Sequence, residues 1–203
     1  MKDLTKTASI LDKILHILYV ATAVGAIACL VGLCILAAGM IFDLPLQMIG
    51  TGFQNADLGS ITISVAEDQM PAYSVILGKA AVEIALTLLC LLIASKMIAT
   101  VRDILAPMKT GAPFHTSVSG NLKKLSVHTC IIGVALNVQD ILVNTLTVLA
   151  YDLADVIVNG QVTHITVTNV FDLSFLFIAG ILLLLSYVFR YGEELQKLSD
   201  ETV

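Results

Sequence analysis

The stretch "YSVILGKAAVEIALTLLCLLIA", residues 73–94, decides the fold. A helix needs about 20 apolar residues to cross roughly 30 Å of hydrocarbon, and this run supplies them. It also carries Lys79 and Glu83, opposite charges four residues apart and therefore neighbours on one helical face. A charge at the bilayer centre costs roughly 2.5 to 3.5 kcal/mol on insertion scales, so such groups turn inward and pair.

The rest of the 203-residue chain agrees with a membrane setting. It is 57% hydrophobic and 13% charged, with a mean hydropathy of +0.92, too apolar for a soluble domain of ordinary make-up. Four runs are long enough to span: about 15–42, 73–100, 126–151 and 171–190. The first is too long for a signal peptide, lacks a convincing small-residue cleavage site and follows Lys2, Lys6 and Lys13, so a retained helix is expected. The expected fold is an all-α integral membrane protein, one membrane domain over residues 1–203.

The net charge of −5 hides an asymmetry that orients the chain. Apart from Lys79, every Lys and Arg lies at a chain end or near the connection at 101–125. The two other connections, 43–72 and 152–170, hold no Lys or Arg but do hold Asp43, Asp57, Glu67, Asp68, Asp152 and Asp155. By the positive-inside rule both termini, the 101–125 loop and the 191–203 tail are expected to be cytoplasmic.

The outer loops carry strand patterns. Ile61, Ile63 and Val65 alternate with Thr62, Ser64 and Ala66, and two β-branched runs flank Asn159-Gly160, a pair suited to a type I′ hairpin turn. A small three-stranded β cap on the outer face is expected. On the other side, Pro107 and the glycines around it predict a break of the second helix near Ala106 and a cap at Ser117 or Ser119 for the third.

Two further patterns bear on packing and chemistry. In the first span Ala21, Gly25, Ala28, Gly32 and Gly39 line one narrow face, where small residues let backbones approach closely, either within the chain or at a homo-oligomer interface. In the third span Asn137, Asp140 and Asn144 share a face. Counting about 1.5 Å per residue from Tyr73 and Tyr151, Glu83 and Asp140 fall near 15 and 16 Å deep, and Lys79 and Asn144 near 9 and 10 Å. Lys79 is expected to meet Asp140, Glu83 or both. With two acids and one base, either the site keeps a net negative charge or one carboxyl holds a proton. A cation pathway and a static clasp that sets helix register both fit this pattern.

No catalytic or metal site is expected. Cys29, Cys34, Cys90 and Cys130 fall inside or beside apolar runs with no CxxC spacing, the histidines are scattered, and no HExxH is present. No cofactor and no direct contact with nucleic acid is expected.

The segments "ILAPMKTGAPF" (104–114), "FDLSFLFIAGILLLLSYVFRYG" (171–192) and "FRYGEELQKLSDETV" (189–203) resemble the YoaS-like bacterial membrane proteins, a domain family of unknown function. The matching positions are Ala106-Pro107 and Gly111-Ala112-Pro113-Phe114 in the loop, and Tyr191-Gly192 with Leu195-Gln196 in the tail. The resemblance implies a four-span bacterial inner-membrane protein with no assigned catalytic activity. It also implies a small helix-turn-helix transcription regulator as a cytoplasmic partner. Pro107, Gly111, Pro113, Phe114, Tyr191, Gly192, Leu195 and Gln196 are then the expected docking face. The functional expectation is a non-enzymatic sensor or regulator in the lipid bilayer. The alternative is a small transporter or ion conductor centred on Lys79, Glu83 and Asp140.

Overall fold

The computed structural model describes residues 2–42, 55–57, 62–64, 72–110, 115–150 and 171–201. In chain order these form helix α1 (Lys2–Phe42), short strands β1 (Asn55–Asp57) and β2 (Thr62–Ser64), and helices α2 (Tyr73–Lys109), α3 (Thr116–Ala150) and α4 (Ser174–Glu201). All four helices are long and apolar enough to cross a membrane, which marks a multi-pass membrane protein and is compatible with a membrane helical bundle. Hydrocarbon offers no partner for a backbone N–H or C=O, and an α-helix satisfies both within the segment.

The helices run past the expected spans. The 41 residues of α1 and the 37 of α2 measure about 60 and 55 Å at 1.5 Å per residue, well beyond the hydrocarbon thickness. The break expected near Ala106 comes instead after Lys109, with Pro107 inside the last turn of α2. A proline there forfeits a single bond to the carbonyl four residues back. The turn is held regardless, because Ile104 and Met108 pack into a core and Thr110 donates to the Pro107 carbonyl from both its N–H (3.2 Å) and its hydroxyl (2.8 Å).

The start of α3 also differs from expectation: neither Ser117 nor Ser119 caps it. His115 does, its Nδ1 accepting the Ser117 N–H at 3.2 Å while its carbonyl accepts the Val118 N–H at 2.9 Å. An imidazole nitrogen here serves as a hydroxyl oxygen would, taking one of the first-turn donors that has no helical partner. At α4, Asp172 caps through Ser174, whose N–H and hydroxyl donate to its two carboxyl oxygens, both at 2.8 Å. The helix therefore begins at Ser174 and leaves 171–173 outside it.

β1 pairs antiparallel with β2, Ala56 opposite Ile63. Part of the alternating 61–66 segment is thus strand, but its partner is the nearby Asn55–Asp57, which closes a shorter loop than any strand after α3 could. Residues 151–170, with Asn159-Gly160, lie outside the described residues, and the described residues hold only this two-stranded pair.

The chain divides into two compact units. The first comprises Met1–Ala26, Cys90–Ala135 and Asp172–Val203. Its core is Ile104, Val118, Leu122 and Leu125, with Met97, Val101, Met108, Leu182 and Phe189 packed against them. Here α3 and α4 run antiparallel and are joined by two side-chain bonds: the Ser126 hydroxyl donates to the Ala179 carbonyl and the Ser186 hydroxyl to the Ser119 carbonyl, both at 2.8 Å. Asp12 of α1 accepts from Arg102 at 3.0 Å and from Lys109 at 2.5 Å, tying α1 to the basic end of α2. The second unit comprises Ile27–Leu89 and Leu136–Phe171.

The small residues of α1 divide in their use. A Cβ placed on Gly25 would lie 3.3 Å from Leu91 Cδ1, and one on Gly32 would lie 3.6 Å from Ile84 Cδ1, while Gly39 is buried. Ala21 and Ala28 are exposed, so the packed positions recur every seven residues rather than along the whole stripe. The tightest approach is elsewhere: a Cβ on Gly133 would fall 2.0 Å from Cγ of Phe175, whose ring lies on the α3 backbone.

Gly133→Ala is expected to destabilise by roughly 1 to 3 kcal/mol through overpacking. Gly120→Ala, on the same helix with nothing within 4 Å of the added carbon, gains up to about 1 kcal/mol of helix propensity. Thermal unfolding in detergent checks the pair, and equal shifts would refute the close approach.

Candidate functional site

In the second unit α2 and α3 bring most of the expected polar residues to one place. Lys79 Nζ lies 2.7 Å from Glu83 Oε1, with the two side chains 18% and 33% exposed. One helical turn separates them, so the pair needs no tertiary adjustment to form. Of the two candidate acids, Glu83 takes the lysine. Asp140 is exposed and makes no ion pair among the described residues.

These groups line a cleft of about 390 Å³ together with Thr87, Gln139, Val143 and Asn144. The Lys79–Glu83 pair and the Asp140 carboxyl thus line a common space large enough for several waters or a hydrated ion. Asn137 stands apart from the rest of the expected cluster: it is buried and does not line the cleft. It shares the face of Asn144 but lies two turns earlier along α3, beyond the end of the cleft lining.

Thr87 and Gln139 join the site without having been singled out in the sequence. The Thr87 hydroxyl donates to the Glu83 carbonyl at 2.9 Å and accepts from Gln139 Nε2 at 3.3 Å, a polar link from α2 to α3. A signal for Thr87 does exist: it lies four residues beyond Glu83, on the same face. Gln139 has only its place beside Asp140 to recommend it. A second, mostly apolar cleft shares Lys79 and is lined otherwise by residues such as Val75, Val82, Leu146 and Leu149. The lysine stem therefore runs along apolar surface while its ammonium reaches Glu83, the usual behaviour of a long charged side chain.

The residues expected to dock a partner are only partly visible. Pro107 is half-buried in the last turn of α2, and Gly111, Pro113 and Phe114 lie outside the described residues. In the tail Tyr191, Leu195 and Gln196 are exposed and Gly192 is partly covered, all on α4. Among the described residues no three His, Cys, Asp or Glu side chains converge as metal ligands. Comparison of the chain with known protein families, with characterised proteins and with solved structures finds no match.

Lys79→Met leaves Glu83 without its counter-charge beside Asp140 and is expected to lower stability by roughly 2 kcal/mol. The double change Lys79→Met, Glu83→Gln removes both charges and restores most of that loss. Thermal unfolding of the two purified proteins in detergent gives the comparison. If both variants lose the same amount, the pair does not hold the site.

Proposed function

We propose that this is a non-enzymatic protein of the bacterial inner membrane, with both termini cytoplasmic and the two connections 43–72 and 151–170 outside, whose working site is the polar cleft between α2 and α3. The observation that carries the proposal is the excess of carboxyl groups in that cleft: Glu83 and Asp140 line it with Lys79 as the one base. A statically clasped site would pair all its charges, and Asp140 makes no ion pair among the described residues. Two carboxyl groups sharing a cleft with one ammonium attract a small cation, proton included. Asn144, Gln139 and Thr87 add the oxygen-bearing side chains that hard cations prefer.

In this reading Lys79 is the internal competitor. A cation arriving at Asp140 and Glu83 displaces the ammonium from Glu83, and the ammonium takes the carboxyl back when the cation leaves. Conduction or coupled transport requires the cleft to open to each side in turn, and sensing requires only that occupancy change the helix contacts.

Protein reconstituted into liposomes under a potential, with H⁺, Na⁺ and K⁺ tested separately, is expected to pass one of these ions. Asp140→Asn and Glu83→Gln are expected to cut that flux by more than about tenfold, the loss of roughly 1.4 kcal/mol of cation stabilisation. No flux of any of the three, or flux unchanged in both variants, would overturn the transport reading.

One observation favours a second reading, regulation of a cytoplasmic transcription factor as the YoaS-like resemblance implies. Helix α4 continues through Glu201 and leaves Tyr191, Leu195 and Gln196 exposed, on a segment that crossing the membrane does not require. Under this reading the intact chain retains the helix-turn-helix partner on purification. A chain truncated after Arg190, or one with Lys123→Glu and Lys124→Glu, loses it. Equal retention by all three would refute docking at this face.

A further inference from the structure

Helix α4 carries two apolar stripes. One faces its own unit: Phe175, Ala179 and Ser186 are buried, and Leu182 and Phe189 pack against the core. The outward face is broadly apolar up to Val188, and within it Ile181, Leu184, Val188, Tyr191, Leu195 and Leu198, each between 43% and 66% exposed, form the line that continues into the tail. Their spacing alternates three and four without a break, the heptad repeat of a coiled-coil seam. Ile181, Val188 and Leu195 take the a positions, and Leu184, Tyr191 and Leu198 the d positions. β-branched Ile181 and Val188 at a, with Leu184 and Leu198 at d, are the combination that favours two parallel strands, from which Leu195 at a and Tyr191 at d depart.

We propose that this stripe is the interface for a second copy of the chain, which pairs through α4 as a parallel, left-handed two-helix seam running from the membrane into the tail. Lipid explains the stripe only in part, because it covers any apolar surface without imposing a repeat. Arg190, Glu193 and Glu194 mark where α4 turns charged, yet Tyr191, Leu195 and Leu198 continue the register past that point. The six side chains leave on the order of 700 Å² bare, close to the roughly 800 Å² per partner of a standard stable interface.

Two features point to a copy of this chain rather than a different partner. Identical chains insert with the same orientation, so a two-fold axis along the membrane normal sets α4 parallel to its copy, as the a and d residues favour. The seam flanks also fit one another by size. In a parallel pair Gly180 falls opposite Leu185 of the copy, and Tyr187 opposite Gly192 of the copy, each time a glycine against a large side chain. Gly180 has no packing reason within its own chain, since an added Cβ would meet nothing within 4 Å.

The inference rests on neither functional reading. It assigns Tyr191 and Leu195 to the seam, leaving Gln196 and the 111–114 loop for any docked partner.

The test is disulfide cross-linking of the full-length chain in native membranes, with Cys29, Cys34, Cys90 and Cys130 replaced by alanine. Tyr191→Cys, Leu195→Cys and Leu198→Cys are expected to give a dimer of twice the chain mass on oxidation, while Arg190→Cys, Glu193→Cys and Lys197→Cys stay monomeric. In a second measurement, light scattering of purified protein in detergent, Leu195→Glu and Gly180→Leu each weaken self-association by more than about tenfold, or roughly 1.4 kcal/mol. Their thermal unfolding as monomers is unchanged. Cross-linking without the three-and-four period, cross-linking only to a species of another mass, or no cross-linking at any of the six positions overturns the proposal.

Discussion

The inability of hydrocarbon to solvate a polar group governs the rest of this structure. It makes the apolar runs helical, because only a helix satisfies every backbone group within one segment. It acts on side chains as well. Thr100, Thr129 and Thr147 are buried and each donates its hydroxyl to the carbonyl four residues back, in bonds of 2.9 Å. Lys79 and Glu83 follow the same rule with full charges, pairing across one turn of α2.

With apolar burial no longer distinguishing helix from lipid, contact between helices depends on close fit and on a few polar links. Gly133 admits the Phe175 ring, Gly25 admits Leu91 and Gly32 admits Ile84. The two serine bonds between α3 and α4 lie seven residues apart on each helix, so together they specify a register that neither would alone. An apolar cluster around Val118 and Leu122 gathers residues from α2, α3 and α4 near the basic ends of those helices. Asp12 adds α1 to the same unit by holding Arg102 and Lys109.

The chain spends its polar residues in two ways. Most are absorbed locally, as caps, stitches and hydroxyl bonds to nearby carbonyls. The α2–α3 cleft is different, because it gathers Glu83, Asp140, Lys79 and three uncharged polar side chains around open space. In the proposed reading that surplus of unneutralised carboxyl groups is what a passing or bound cation uses.

Much of this was legible in the sequence, because the properties concerned are one-dimensional. Length and hydropathy count out four helices, and spacing alone places Lys79 beside Glu83, since the α-helix repeat is the same wherever it occurs. Matching the depths of α2 and α3 brought Asp140 and Asn144 to the level of Lys79 and Glu83, and all four line one cleft. What the sequence could not settle were choices among near-equivalents. His115 rather than a serine caps α3, Pro107 stays inside α2, β2 pairs with Asn55–Asp57, and Asn137 is buried outside the cleft lining. Local preferences differ by about 1 kcal/mol or less in such cases, so contacts between distant residues decide them. Tertiary structure alone likewise revealed that Phe175 lies on Gly133, that Asp12 grips two bases some 90 residues away in the chain, and that α4 keeps a second apolar stripe uncovered by its own chain. Each of these depends on which helix faces which, and hydropathy is blind to that because lipid and a neighbouring helix are equally apolar.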